Sequence, residues 1–126
     1  GPDVDRVGSW FNGKVEFPVR PPHLRASAKQ VNLLGARLSQ VRWRDAATLL
    51  YDVGGHKVTV MVFDPGNLPL DRNGLRAVHV GNRDVYVGAA RGRNVAVVQR
   101  GPIAYALSGD VDLGEMLQLA AYAAAP

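Results

Sequence analysis

The stretch YDVGGHKVTVMVFD, residues 51–64, decides the fold, because it predicts two strands joined by a tight turn. Gly54 and Gly55 fit the two central positions of a two-residue hairpin, where φ is positive and glycine has no Cβ to clash. His56 follows this turn directly. It can be interpreted as a metal ligand or general base, or as a solvent-facing residue at a hairpin end. We adopt the second interpretation, in which the hairpin is scaffold.

The rest of this stretch predicts a central strand. Val58, Val60 and Val62 share one phase of the alternation, and the other phase, with Thr59, Met61 and Phe63, is also largely apolar. A strand that is apolar in both phases is expected to be covered on both faces of its sheet.

Further strands are predicted on both sides of this hairpin. Residues 31–43 and 46–53 form two apolar segments before the turn. After a Pro- and Gly-rich loop at residues 65–74, the segments RAVHVG, DVYVGAA, NVAVVQR and IAYALSG follow, separated by short GN, RG and GP breaks. The spacing predicts an antiparallel meander.

The two ends of the chain predict helices, and a strand follows the first of them. Val4, Val7 and Phe11 share one face of a short N-terminal helix, for which Gly13 is a plausible end. Residues 14–22 alternate as a strand that Pro18 confines to a sheet edge.

Residues 112–125 predict a C-terminal helix that packs on the sheet. Asp112 and Glu115 have the spacing of a capping box with an acidic N-cap. The apolar stripe consists of Leu113, Met116, Leu117, Ala120, Ala121 and Ala124.

The predicted fold class is therefore α+β: an antiparallel meander of about six or seven strands, a C-terminal helix packed on it and a short N-terminal helix. The 126 residues form one domain, 1–126, large enough for a single core. Gly1 and Pro2 resemble the scar of a removed expression tag, so we expect the chain to be a fragment of a longer protein.

The composition excludes several classes of function. There is no cysteine, so disulfides, thiolate metal sites and cysteine nucleophiles are absent. The net charge is +4, but the arginines are scattered along the chain with acids between many of them. Nucleic-acid binders more often concentrate basic residues on one face with interleaved aromatics, so we expect no nucleic-acid partner.

No catalytic residue, cofactor or metal site is predicted. The three histidines, His23, His56 and His79, lack the close spacing of common zinc motifs. The aspartates lie mostly at predicted strand ends and turns, where they usually satisfy backbone groups. The serines lack a nucleophile-elbow context.

Trp43 is the candidate for contact with a partner. It stands between Arg42 and Arg44 where a strand is expected to end, and Trp and Arg are enriched in interface hot spots. Core packing of Trp43 is the alternative interpretation. Trp10 and Phe11 form a second aromatic pair.

Three stretches in order carry a resemblance to a known family: SWFNGKVEFPVRPPHL, LLGARLSQVRWRDAATLLYDVGGHKVTVMVFD and GNRDVYVGAARGRNVAVVQRGPIAYALSGDVD. Together they resemble the C-terminal, extracytoplasmic part of proteobacterial transmembrane anti-sigma factors. The resemblance runs from about Trp10 to the C-terminal helix. Arg93 stands where the family has an aromatic residue.

The resemblance implies a non-enzymatic sensory or regulatory domain on the periplasmic side of the inner membrane. The parent protein would bind its sigma factor through a cytoplasmic domain, often zinc-bound, and cross the membrane by one helix, both absent from this chain. The expected partner is a regulatory or sensor protein or a protease of the envelope. The family offers no catalytic residues. Two alternatives stay open: a periplasmic protein that binds a small ligand or a metal, and a small hydrolase.

Overall fold

The described residues form one seven-stranded antiparallel sheet and two helices. A computed structural model describes residues 4–26, 28–41, 44–66 and 74–125. The elements are α1 (Val4–Trp10), β1 (Val31–Val41), β2 (Arg44–Val53), β3 (His56–Phe63), β4 (Arg76–Val80), β5 (Arg83–Ala90), β6 (Arg93–Arg100), β7 (Ile103–Gly109) and α2 (Leu113–Ala123). The α+β class and its two helices are confirmed.

Glycine at the turns sets the hairpins, as predicted. Gly54 and Gly55 have φ of +57° and +91°, and the side chain of Asp52 accepts a hydrogen bond of 2.8 Å from the Gly55 amide. Arg91 and Gly92, between β5 and β6, also have positive φ, at 55° and 76°. The turn residues thus fix the register of each adjacent strand pair.

The strand order differs from a single continuous meander. It runs β1-β2-β3-β7-β6-β5-β4, so two meanders meet where β3 pairs with β7. Residues 64–75 connect β3 with β4 at the far edge of the sheet, and of the loop predicted at 65–74, residues 67–73 lie outside the described residues. Leu75 packs so close to Gly88 that a Cβ atom on residue 88 would lie 2.8 Å from Leu75 Cδ2.

The main core lies on one face of the sheet. Alternate residues of the central strands, such as Val60 and Leu107, are fully buried there, and cross-strand pairing places their side chains on the same face. On the other face Phe63 is buried in a small cluster with Ala46 and Ala104. β3 is therefore central, as predicted, but its second face is buried mainly at the Phe63 end, since Thr59 and Met61 are only half-buried.

Helix α2 packs over β5, β6 and β7. Its N-cap is Asp112, whose Oδ1 accepts a hydrogen bond of 2.7 Å from the Glu115 amide, as predicted. Glu115 does not complete the capping box but forms an ion pair of 2.7 Å with Lys29. The fully buried residues of the helix are Met116, Leu119, Ala120 and Ala123. The buried face is thus rotated toward Leu119 and Ala123 relative to the predicted stripe.

The segment that follows α1 is not the predicted edge strand. Within residues 14–22 the only β-bridge among the described residues joins Val15 to Asn12. Val19 is nevertheless buried, and Val15 and Phe17 pack against the core. The alternation of apolar residues therefore reflects an irregular segment anchored by its side chains. The three prolines of this segment have no N–H group for a strand ladder, which explains why no strand forms.

No helix among the described residues is both long enough and apolar enough to cross a membrane.

Candidate functional site

A cleft of about 820 Å³ opens between the two helices and is the candidate site. Its walls come from α1, from residues 18–25, from the end of β6 and from the last turn of α2, and Tyr105 of β7 also lines it. Ligand pockets in proteins usually measure roughly 300–1,000 Å³. The cleft therefore has the size of a small-molecule site.

The wall formed by residues 18–25 is held from two sides although it pairs with no strand. On one side, a Cβ on Gly8 of α1 would lie 2.8 Å from the Val19 carbonyl oxygen, so only glycine allows this close approach. On the other, the Tyr51 hydroxyl donates a hydrogen bond of 2.8 Å to the Pro22 carbonyl. Burial of its phenol, with nearby Tyr105 as a smaller cause, raises the pKa of Tyr51 well above its ordinary value.

Tyr105 contributes a hydroxyl-bearing side chain to the lining of the cleft. Its side chain is only 5% exposed, and it pairs across the sheet with Val62 and Val98. No hydrogen bond joins its hydroxyl to any other residue that the structure describes. Because Tyr105 lines the cleft and its hydroxyl is not among the fully buried unpartnered atoms, this hydroxyl can bond to water or to a ligand.

Positive charge dominates the lining of the cleft. Arg20 and Arg25 come from the loop wall and Arg100 from the end of β6, whereas Asp5 is the one carboxylate among the lining residues that the structure describes. None of these three arginines forms an ion pair with a described residue. The described lining thus has an excess of two positive charges from these side chains.

Residue types used by hydrolases also line the cleft, but the geometry shows no nucleophile paired with a base. Ser9, His23 and Asp5 all belong to the lining. No hydrogen bond joins Ser9 to His23 in the described part of the chain, whereas a Ser nucleophile needs a base within hydrogen-bond reach. No catalytic role is therefore assigned to these residues.

The histidines do not converge on a metal site in the described part of the chain. No group of three or more His, Asp or Glu residues there could hold an ion. His56 is exposed at the end of the β2–β3 turn, as expected for scaffold. His79 Nδ1 lies 2.9 Å from Asp84 Oδ1, in an exposed cross-strand pair of β4 and β5.

The residues predicted to face a partner do not contribute to the cleft. Arg42 and Trp43 lie outside the described residues. Arg44 is exposed at the start of β2, where its Nη1 lies 3.9 Å from Asp64 Oδ1. The proposal that these three residues contact a partner stays a prediction.

Trp10 is the exposed aromatic residue of α1. Its side chain is 47% exposed, whereas its neighbour Phe11 is buried and meets it edge-on with ring centroids 4.9 Å apart. Lys14 Nζ lies 4.5 Å from the centre of the Trp10 ring and donates a hydrogen bond to the Trp10 carbonyl. This contact is a cation–π interaction at an exposed tryptophan.

Sequence reasoning did not find the cleft, because its polar groups are far apart along the chain. Arg20 and Arg25 flank Pro21 and Pro22, which indicate a loop but no binding function. Tyr105 occupies an ordinary inward position of a strand. No local motif joins these residues.

Comparison of the chain with protein-family models, with curated proteins and with solved structures gave no match.

Proposed function

We propose that this chain is an extracytoplasmic sensory or regulatory domain of a transmembrane anti-sigma factor and that it is not an enzyme. In this role it controls the release of a sigma factor that the parent holds on the cytoplasmic side. The observation that carries the proposal is the ordered set of three stretches, beginning at Ser9, that resemble this family over most of the chain.

These stretches lie mainly in the strands and turns of the sheet. LLGARLSQV lies in β1, AATLLYDVGGHKVTVMVF spans β2 and β3, and the third stretch spans β5 to β7. They supply core strands and turns, the features that members of one domain family would share. Because they are core and turn residues, they indicate the domain and not the stimulus that it senses.

The cleft suggests how such a domain would regulate its parent. It is bordered by α1, the first element of the chain, and by α2, the last. A ligand, a regulatory protein or a protease that contacts both borders would favour one arrangement of the domain. The parent would then shift between sigma-holding and sigma-releasing states, provided that the stimulus binds these states with different affinities.

The complete reading frame of the parent protein gives a first test. We expect a single apolar segment of roughly 20 residues ahead of residue 4, a cytoplasmic segment before it, and a sigma-factor gene adjacent. A complete frame that has neither the apolar segment nor a neighbouring sigma-factor gene would contradict the proposal.

A free-standing periplasmic protein that binds a small ligand or a metal is the second candidate function. The cleft favours its small-ligand form, because its volume suits a small molecule and no described residue hydrogen-bonds to the Tyr105 hydroxyl in its lining. The two candidates are separated by the parent: the second requires no cytoplasmic segment and no sigma factor.

A further inference from the structure

We propose that the cleft between α1 and α2 binds a small molecule bearing anionic oxygen groups, either carboxylate or phosphate. The inference rests on the proposed sensory function and names the class of ligand sensed. It is carried by the lining of this one cleft, to which Arg20, Arg25, Arg100 and Tyr105 all contribute.

The charge of the cleft selects an anion. The described lining contains three arginines and one aspartate, and no described carboxylate pairs with these arginines. A guanidinium group presents a planar fork of N–H donors that matches carboxylate and phosphate oxygens.

The three arginines come from two separate parts of the fold. Arg20 and Arg25 belong to the wall that Gly8 and the Tyr51–Pro22 hydrogen bond hold in place, and Arg100 belongs to the end of β6. One anion in contact with the loop wall and with β6 would therefore join two separately anchored parts of the fold. Binding of this kind is expected to stabilise the folded domain by mass action.

Tyr105 supplies a directional group beside these charges. Only 5% of the residue is exposed, yet its hydroxyl is not among the fully buried polar atoms, and it has no hydrogen-bond partner among the described residues. A phenolic hydroxyl can donate to an anionic oxygen. The cleft lining thus combines positive charge with a hydroxyl that can donate, and small-ligand sites usually contain a few polar groups of this kind.

The test is titration calorimetry of the 126-residue chain with citrate and, separately, with pyrophosphate, at constant ionic strength. Glycerol serves as the neutral control. We expect saturable binding of at least one anion and none of glycerol. Tighter binding of citrate would assign the site to carboxylates, and tighter binding of pyrophosphate would assign it to phosphates.

Variants then locate the binding. Arg20→Gln, Arg25→Gln and Arg100→Gln are each expected to weaken the better anion about tenfold, and Tyr105→Phe by a few-fold. Arg76→Gln and Arg93→Gln remove the same charge from exposed positions outside the cleft and should change the affinity by less than about twofold. Thermal unfolding of each variant checks that it is folded. If one cleft arginine variant does not fold, the other two still test the site.

The inference fails if neither anion binds at millimolar concentration. It also fails if the Arg76 and Arg93 variants lose as much affinity as the cleft variants. The anion would then be attracted by the net positive charge of the domain and not by the cleft. These measurements use no sigma factor, so a negative result leaves the proposed function standing. Conversely, a parent that binds no sigma factor would leave anion binding intact as a property of the domain.

Discussion

Gly54 occupies a position where both the backbone and the surroundings exclude a side chain. Its φ is +57°, and a Cβ would lie 2.8 Å from Lys29 Cδ. Replacing Gly54 with Val is expected to lower the free energy of unfolding by about 2 kcal/mol or more, since a β-branched residue resists positive φ. Urea denaturation measures the loss.

His56 provides the control for this prediction. It lies two residues beyond Gly54 and is exposed, so His56→Ala should change the free energy of unfolding by less than about 0.5 kcal/mol. If His56→Ala lost as much stability as Gly54→Val, the interpretation of His56 as a solvent-facing residue of a scaffold hairpin would be wrong.

Tyr51 predicts a dependence of stability on alkaline pH. Burial raises its pKa in the folded state, so the folded protein holds the phenolic proton more tightly than the unfolded chain does. The resulting stability is fully present below the ordinary tyrosine pKa of about 10 and is lost as the pH rises above it toward the raised value.

Urea denaturation at pH of about 8 and about 11 tests this dependence. Wild-type protein should lose more free energy of unfolding between these two conditions than Tyr51→Phe, which has no proton to release. Tyr122→Phe, at an exposed position, should behave like wild type. Equal losses in wild type and Tyr51→Phe would refute the assignment of the pH effect to Tyr51.

At the scale of elements, helix α2 shows which residues carry its packing on the sheet. Leu119 is fully buried, whereas Leu117 is only half-buried. Leu119→Ala is expected to cost about 2–5 kcal/mol and Leu117→Ala about 1 kcal/mol, because the cost grows with the cavity left behind. Thermal or urea denaturation compares the two variants, and the reverse ranking would mean that the helix packs as the sequence stripe predicted.

The elements that depend on local signals could be predicted from the sequence. The Gly54–Gly55 turn and the Asp112 cap each act within a few residues, and the structure has both. The edge strand predicted over residues 14–22 was wrong, because alternation records which side chains are buried but not whether the backbone has a pairing partner. Val19 is buried without belonging to a strand.

At the scale of the whole molecule, the pairing of β3 with β7 lay beyond sequence reasoning. Val60 pairs with Leu107, and no turn signal connects residues so far apart. The cleft was unpredictable for the same reason, because Arg20, Arg100 and Tyr105 line one cleft only in the folded sheet. The class of fold was thus predictable from local patterns, but the candidate site was not.

The whole domain is also expected to carry no tightly bound transition metal. This prediction rests on the absence of cysteine and of close histidine spacing. Elemental analysis of untagged protein after dialysis measures the metal content, and well under one metal per chain is expected. A stoichiometric metal would instead support the metal-binding form of the second candidate function.

In the proposed function, the parent's cytoplasmic segment, and not this domain, binds the sigma factor. Titration calorimetry with the cognate sigma factor tests this proposal most directly. The described residues form a sheet domain whose longer helix, α2, buries its apolar face against its own strands, which leaves no such face for a partner's groove. The 126-residue chain is therefore predicted to show no binding, while the full-length parent or its N-terminal segment binds. Micromolar or tighter binding by this chain alone would contradict the sensory assignment.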